Sequence, residues 1–250
     1  MTLLLSFALA QDAAFTWDPA VDVPITLGAG IPFALMYTHA EPDLTPSGAV
    51  SEPRGMDALV EPRYNGAHAK ASDLILYPMM GIGLGAAIAD GVVDGEGAHT
   101  RAWIYMESMA INQLMTTTIK LAVDRPRPYT QLGPGYSDKV DELLTENDSQ
   151  MSFPSGHAST VANSAFTAAR MWDLSNGTST QRWVGYGSAT AVTVAVSVLR
   201  VTAGKHHPSD VIAGSVLGAS IGFLVPTLHA TERKVAVNAS PQMVQVSGRF

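Results

Sequence analysis

Apolar residues run in long, nearly uninterrupted stretches along most of this chain, and shorter polar segments separate them. Five stretches are close to 20 residues long and lack the alternation typical of strands, so the pattern predicts five helices. These helices cover residues 72–93, 100–123, 155–172, 182–201 and 208–228. The stretch 188–201 is rich in β-branched residues, which favour strands, but its length and its helical neighbours favour a buried helix.

Prolines and polar residues mark the segments outside these helices. The apolar segment 25–37 is interrupted by Pro32, and the proline-rich segment 40–70 indicates a long loop with room for a short helix. Residues 129–152 form a polar loop between the second and third predicted helices. The tail, 234–250, alternates loosely between apolar and polar residues, which predicts a short hairpin.

Glycine recurs at every fourth position of the last predicted helix, as Gly214, Gly218 and Gly222. Residues four apart lie on one face of a helix, and glycines on that face let a second helix approach closely. The spacing therefore predicts tight helix packing, which occurs in soluble and in membrane-embedded bundles.

The composition is that of a folded but weakly charged chain. Of its 250 residues, 46% are hydrophobic and 15% are charged, against about a quarter charged in typical soluble domains. This balance excludes intrinsic disorder, and the absence of cysteine excludes disulfides, zinc ribbons and thiol catalysis. A net charge of −7 without any tract rich in lysine or arginine argues against a nucleic-acid partner.

The N-terminus and the apolar runs bear on location. Residues 1–10 end in Ala8-Leu9-Ala10, a small-x-small form that predicts a cleaved signal peptide, with a buried helix start as the alternative. The runs 183–199 and 211–231 lack Lys, Arg, Asp and Glu and approach the membrane-spanning length of about 20 residues. Their small residues make them weak spans. We expect an extracytoplasmic protein, periplasmic or secreted, that is open to membrane association; the alternative is an integral membrane protein whose site faces outward.

Ionisable residues cluster at three otherwise apolar places. The first cluster, Lys120, Arg125 and Arg127, lies where a proline ends the second predicted helix. Cations at a helix C-terminus compensate the helix dipole, so this cluster alone needs no functional explanation.

The second cluster, Ser155-Gly156-His157, begins a helix. Ser155 is a candidate N-cap, and Gly156 lets the backbone approach a ligand. Free N–H groups at a helix N-terminus suit an anion, and His157 could donate a proton there. A capped helix beside a surface histidine explains the same residues equally well.

The third cluster holds Arg200, Lys205 and Asp210, which are the only Lys, Arg, Asp or Glu residues in the stretch 183–231. Charge in apolar surroundings is costly unless it is paired or functional. Asp210 falls in the first turn of a helix, and His206 lies just before it. A carboxylate there could accept a hydrogen bond from the imidazole and fix its tautomer, leaving the other nitrogen as a nucleophile. A buried Arg–Asp pair beside incidental histidines is the alternative.

Together, the three clusters resemble the motifs of the type 2 phosphatidic acid phosphatase and vanadium haloperoxidase superfamily. The motifs are Lys-x6-Arg-Pro from Lys120, Pro-Ser-Gly-His from Pro154, and Arg-x5-His-x3-Asp from Arg200. Each is weak alone, but all three occur in the order of the family over about residues 72–228. Leu199 departs from the pattern, because the family often has serine directly before the arginine.

The resemblance implies an all-α fold, a helical bundle of the PAP2/haloperoxidase type with five to six core helices and the site at helix ends. It also implies a metal-independent phosphatase that hydrolyses phosphate monoesters or lipid (pyro)phosphates through a phosphohistidine intermediate, without a cofactor. His206 would attack phosphorus, Asp210 would orient His206, and His157 would protonate the leaving group. The implied phosphate-binding residues are Lys120, Arg127, Ser155, Gly156 and Arg200.

Three further ionisable residues near the motifs are not expected to take part in catalysis. His207 is adjacent to the nucleophile, but the spacing to Arg200 and Asp210 selects His206; Arg125 and Lys205 are interpreted as rim charges. Four further histidines have no evident partner in the sequence and are interpreted as structural or surface residues. These are His39, His68, His99 and His229.

We expect the chain to divide into an N-terminal segment, 11–71, with one apolar helix and a long loop, a phosphatase core, 72–230, and a tail, 231–250. The expected partner is a phosphorylated small molecule or a lipid substrate. A vanadium-dependent haloperoxidase is an alternative, because the same pocket could hold vanadate through His206. A catalytically silent helical phosphate-binding protein is another. A metal site at the His206-His207 pair fits no common ligand spacing.

Overall fold

A computed structural model describes residues 14–39, 54–93, 97–176, 178–231, 236–240 and 243–247. The helices are α1 (Pro19–His39), α2 (Gly66–Val93), α3 (Ala98–Val123), α4 (Asp138–Leu144), α5 (Gly156–Asn176), α6 (Ser179–Thr202) and α7 (Pro208–Leu228). Strands β1 (Ala236–Ser240) and β2 (Met243–Ser247) pair antiparallel, which confirms the hairpin predicted for the tail. The helical bundle confirms the expected all-α class. The predicted signal peptide, residues 1–10, lies outside the described residues.

The five predicted helices correspond to α2, α3, α5, α6 and α7, and the β-branched run of α6 is helical. The interruption predicted at Pro32 is wrong, because α1 continues through both Pro24 and Pro32. Proline removes one helical hydrogen bond, but its backbone angle φ is close to the helical value, so the chain need not leave the helix.

The segment 129–152 is more ordered than a polar loop. It contains α4 between two short 3-10 helices, Pro128–Leu132 and Asn147–Gln150. Ser137 caps α4 by accepting a hydrogen bond from the backbone N–H of Val140 at 3.3 Å. Helix α4 has only seven residues, about two turns, and few of them are apolar. A repeat of apolar positions this short does not predict a helix from sequence.

Helix α5 lies at the centre of the bundle and packs against α2, α3, α6 and α7. The closest of these pairings joins α5 to α7, where the spaced glycines face the backbone of α5. A Cβ atom at Gly214 would overlap the carbonyl oxygen of Ser155, and one at Gly218 would overlap the carbonyl oxygen of Ser159. The tight packing predicted from the glycine spacing is therefore confirmed.

Within the part of the chain that the structure describes, four helices are long and apolar enough to cross a membrane: α1 over Pro19–Met36, α2, α6 and α7. These helices expose large apolar side chains, among them Leu74, Ile82, Val198 and Val216. Apolar surface of this extent is unusual on a protein that water surrounds. The structure thus supports membrane association, which the sequence left open.

Candidate active site

The three motif clusters come together at one end of the bundle. The C-terminal ends of α3 and α6 meet the N-terminal ends of α5 and α7 there, as contacts between their flanking residues show. The backbone N–H of Ser155, before α5, donates to the carbonyl oxygen of Asp210 in α7 at 2.9 Å. The backbone N–H of Ser152 donates to the carbonyl oxygen of Arg125 at 2.8 Å, which joins the first cluster to the second.

His206 lies at the centre of this cluster and is 1% exposed. Its Nδ1 lies 2.7 Å from the carbonyl oxygen of Ser152, so Nδ1 carries the proton and Nε2 the lone pair. Burial and the nearby guanidinium of Arg127 hold the pKa of His206 well below its usual value. The imidazole is therefore neutral at weakly acidic pH, and Nε2 keeps its lone pair.

The expected hydrogen bond from the His206 imidazole to the Asp210 carboxylate is absent, and the Ser152 carbonyl oxygen accepts in its place. The Oδ2 atom of Asp210 is 3.7 Å from Nδ1 of His206, which is beyond hydrogen-bond distance. Oδ2 accepts instead from Ser152 Oγ at 2.5 Å and from the backbone N–H of His207 at 2.7 Å. The buried carboxylate therefore orients His206 indirectly, by holding the two segments between which the imidazole is placed.

Arg125 is not a rim charge. Its guanidinium donates to Asp210 Oδ1 at 2.6 Å, to Ser209 Oγ at 2.7 Å and to Asp57 Oδ2 at 2.8 Å. Asp57 also accepts from the backbone N–H of Ser209 at 2.9 Å. Burial would raise the pKa of Asp57, but hydrogen bonds from Ser209 and Arg125 hold it below its usual value. The ion pair of Arg125 and Asp57 thus joins the start of α7 to the N-terminal segment. The sequence analysis did not identify Asp57.

Three cations surround His206, and each lies close enough to lower its pKa: Arg127, Arg200 and Lys120. Arg127 Nη1 lies 3.1 Å from His206 Nε2. Arg127 Nε donates to the carbonyl oxygen of Asp148 at 2.7 Å, and Nη2 donates to Asp148 Oδ1 at 2.5 Å. Arg200 NH1 donates to Ser72 Oγ at 3.2 Å. These are the cations expected to bind phosphate, and the structure brings them to the expected nucleophile.

The N-terminus of α5 faces the same point. Ser155 is fully buried and accepts a long hydrogen bond, 3.5 Å, from the backbone N–H of Ala158, as expected of an N-cap. A Cβ atom at Gly156 would lie 3.6 Å from Lys120 Cε, so the lysine side chain passes directly over this glycine. Lys120 Nζ donates to the carbonyl oxygen of Met151 at 2.7 Å. A lysine ammonium and the free N–H groups of a helix N-terminus together suit an anion.

His157 has a carboxylate partner that the sequence analysis did not identify. Its Nε2 lies 2.7 Å from Asp73 Oδ1 in α2, and the same oxygen lies 4.0 Å from Arg200 NH1. The partners are 84 residues apart, so no local motif connects them. The available signal was an acidic residue near the start of an otherwise apolar helix. Burial and the nearby guanidinium of Arg200 lower the pKa of His157 to about 4, and the hydrogen bond and charge of Asp73 oppose that shift. Asp73 is therefore placed to orient His157 and to support its protonated form.

Replacing Asp73 with asparagine should lower kcat on the order of tenfold with little change in KM, less than the 10²–10⁴-fold that a general acid contributes. Asparagine can still accept the hydrogen bond, but it lacks the charge that favours protonated His157. The alkaline limb of the kcat–pH profile should therefore move to lower pH. Asp138→Asn, at an exposed position of α4, is the matched control. An unchanged pH profile would remove Asp73 from this role.

The fold and the site together define a class: an all-α bundle whose helix ends gather cations, a helix N-terminus and two histidines. Within that class, the chain belongs to the PAP2 superfamily, whose family model matches residues 101–234. This match confirms the resemblance found in the sequence motifs. Asp57 and Asp73 both lie before the matched range.

Two curated relatives are similar over 129 residues, about half of this chain. One is an undecaprenyl-diphosphatase from Sulfolobus acidocaldarius, 33% identical over 53% of that relative. The other is a decaprenylphosphoryl-5-phosphoribose phosphatase from Mycobacterium tuberculosis, 28% identical over 62% of its length. The chain thus matches less than two thirds of either relative.

A solved structure shares the fold. It is a transmembrane PAP2-type phosphatidylglycerolphosphate phosphatase from Bacillus subtilis, matched with a TM-score of 0.50 and 19% sequence identity. The match covers 83% of this chain and 94% of that one. At this identity, the likeness establishes the helical architecture and no more.

Proposed function

We propose that this protein is a membrane-embedded phosphatase that cleaves lipid phosphates or diphosphates through a phosphohistidine on His206, with no metal in the reaction. One observation carries the proposal: the hydrogen bond from His206 Nδ1 to the Ser152 carbonyl, which leaves Nε2 unprotonated beside Arg127. A neutral imidazole with a fixed tautomer is a competent nucleophile.

The reaction would proceed in two displacements. His206 Nε2 forms a bond to phosphorus while the bond to the leaving oxygen breaks, and His157 gives its proton to that oxygen. The bound phosphate anion offsets the charges of Arg200 and Arg127 and, with Asp73, stabilises the protonated form of His157 that this step requires. Neutral His157 then takes a proton from water, whose oxygen attacks phosphorus and releases phosphate from His206. Lys120, Arg127 and Arg200 stabilise the charge on the phosphoryl oxygens in both steps, and this electrostatic stabilisation supplies most of the rate enhancement in phosphoryl transfer.

A lipid substrate is supported by an apolar cleft between α6 and α7. The cleft has a volume of about 530 Å³ and extends from Thr202 and Pro208, at the catalytic end, to Ala219. Apolar side chains such as Val198 and Ile212 line it. A polyprenyl or acyl chain in this cleft would leave its phosphate at the motif residues, and both curated relatives carry polyprenyl substrates in their names.

We place the catalytic end on the extracytoplasmic side of the membrane. Arg170 and Arg182 lie near the junction of α5 and α6, at the other end of the bundle. Arginine and lysine near the ends of spans favour the cytoplasm. We assign Lys120, Arg127 and Arg200 to the bound phosphate, and Arg125 is paired with Asp57 and Asp210, so these site cations are left out of that comparison. On this basis the α5–α6 end would face inward and the catalytic end outward.

Phosphate release from purified full-length protein in detergent, with EDTA present, tests the activity. A polyprenyl diphosphate, phosphatidic acid and p-nitrophenyl phosphate are the substrates to compare. We expect release from the lipids to exceed release from the soluble ester, and orthovanadate to inhibit it. No release from any of the three would contradict the proposal, and vanadate-dependent bromination of a dye would establish the haloperoxidase alternative instead.

A further inference from the structure

A second cluster of ionisable residues lies at the opposite end of α7 from the catalytic residues. Asp22 of α1, Glu107 of α3 and His229, directly after α7, face one another there. Their side chains are only 8%, 5% and 11% exposed. Because α7 has 21 residues, a rise of 1.5 Å per residue puts about 31 Å between this cluster and the catalytic end.

The three side chains turn one imidazole nitrogen and two carboxylate oxygens toward one another. His229 Nδ1 donates to the carbonyl oxygen of Val225 at 2.8 Å, and Nε2 faces the two carboxylates. Nε2 lies 3.4 Å from Asp22 Oδ1 and 3.6 Å from Glu107 Oε2. These separations exceed those of N–H···O hydrogen bonds, about 2.7–3.2 Å. Ligands bound tetrahedrally to one ion at about 2.0–2.1 Å would lie about 3.3–3.4 Å apart.

A separate observation concerns Glu107 itself. Its Oε2 atom, which faces His229 Nε2, is buried and has no hydrogen-bond partner among the described residues. An unpaired buried carboxylate oxygen is costly, and a second carboxylate nearby adds to the cost. Asp22 is better satisfied, since its Oδ2 accepts from the backbone N–H of Asp18 at 2.7 Å while Oδ1 faces the cluster. A cation at the common point would compensate both charges.

We propose that Asp22, Glu107 and His229 bind one divalent transition-metal ion at the end of the bundle away from the catalytic residues, and that Zn²⁺ is the ion that fits best. One neutral imidazole with two carboxylate oxygens suits Zn²⁺, whereas Mg²⁺ and Ca²⁺ prefer oxygen ligands throughout. The hydrogen bond from Nδ1 to the backbone is the outer support that metal-bound histidines commonly have. The ion links α1 and α3 to the end of α7 and takes no part in phosphoryl transfer.

Zinc content and thermal unfolding of the full chain test the site. The protein should be purified in detergent with a histidine-free tag, stripped with EDTA and dialysed against Zn²⁺ or Mg²⁺. We expect about one zinc per chain and, at zinc a hundredfold above Kd, a rise in Tm of about 5–10 °C that Mg²⁺ does not reproduce. EDTA should lower Tm without lowering the initial rate of phosphate release at 25 °C.

The matched variants are Glu107→Gln, in the cluster, and Glu142→Gln, on the exposed face of α4. Glu107→Gln should bind no zinc, show no response of Tm to EDTA and keep phosphatase activity, while Glu142→Gln behaves as the parent. Without metal, Glu107→Gln should unfold no earlier than the stripped parent, because it loses an unpaired charge.

The proposal would be overturned if the parent protein takes up no zinc and its Tm does not change when EDTA is added. It would also be overturned by a stripped Glu107→Gln that unfolds well below the stripped parent, since Glu107 would then form an ion pair with protonated His229. If the protein binds zinc but has no phosphatase activity, the proposed metal site is supported and only the proposed function is rejected.

Discussion

Replacement of His206 by alanine is expected to lower kcat by at least about 10³-fold, because the variant lacks the atom that forms the covalent intermediate in the proposed mechanism. Burial and neighbouring cations keep the imidazole neutral, and the Ser152 carbonyl fixes the proton on Nδ1. Rapid acid-free quenching with ³²P-labelled substrate should trap label on the parent protein and none on the variant.

A buried histidine also supports the loop around it, so a second variant separates chemistry from folding. Asparagine at position 206 can still donate a hydrogen bond to the Ser152 carbonyl while offering no nucleophile. His206→Asn should therefore unfold near the parent Tm and remain inactive. His207→Asn is the neighbouring control: His207 lies beside Arg125 rather than Arg127, and this variant should keep most of the activity. A His206→Asn protein with more than a tenth of the parent kcat would reject the phosphohistidine mechanism.

The residues around His206 were accessible from sequence because charge is scarce in this chain. Lys120, Arg127 and Arg200 are conspicuous in apolar surroundings, and proline or glycine beside the motifs marks where helices begin and end. The bounds of α7 followed directly, since Pro208 starts a run without charged residues after Asp210. Local signals of this kind are readable because each depends on a few neighbouring residues.

Contacts between distant segments were not accessible. The roles of Asp57, Asp73 and Arg125 depend on partners 68, 84 and 85 residues away, and nothing in the local sequence of an aspartate indicates such a partner. The same limit explains the error over Asp210. Its position one turn from His206 suggested a direct hydrogen bond, but the carbonyl oxygen of Ser152 lies closer to the imidazole than Asp210 Oδ2 does.

The two histidines that we propose as catalytic lie at the starts of different helices, so the distance between α5 and α7 determines whether they can act together. His157 is in the first turn of α5, and His206 precedes the first turn of α7. Gly214 and Gly218 hold these helix starts in backbone contact. The close packing of α7 against the start of α5 is thus a condition for the geometry of the site.

Gly218→Ala is accordingly expected to destabilise the protein by about 3 kcal/mol or more, at the upper end of the cost of overpacking. The added Cβ would overlap the carbonyl oxygen of Ser159 and lie 3.0 Å from the backbone nitrogen of Asn163. Both neighbours are backbone atoms of α5, which cannot rotate away as a side chain would. Relief requires α5 and α7 to separate, and any folded fraction should then show a lower kcat because the two histidines move apart.

Gly187→Ala in α6 provides the matched comparison. A Cβ atom there meets nothing within 4 Å, and alanine in place of glycine within a helix stabilises by about 0.5–1 kcal/mol. Thermal unfolding of both variants in the same detergent should therefore move Tm in opposite directions, down for Gly218→Ala and slightly up for Gly187→Ala. Equal Tm values would mean that α5 and α7 can part without cost, and the glycine spacing would then have no bearing on where His157 and His206 stand.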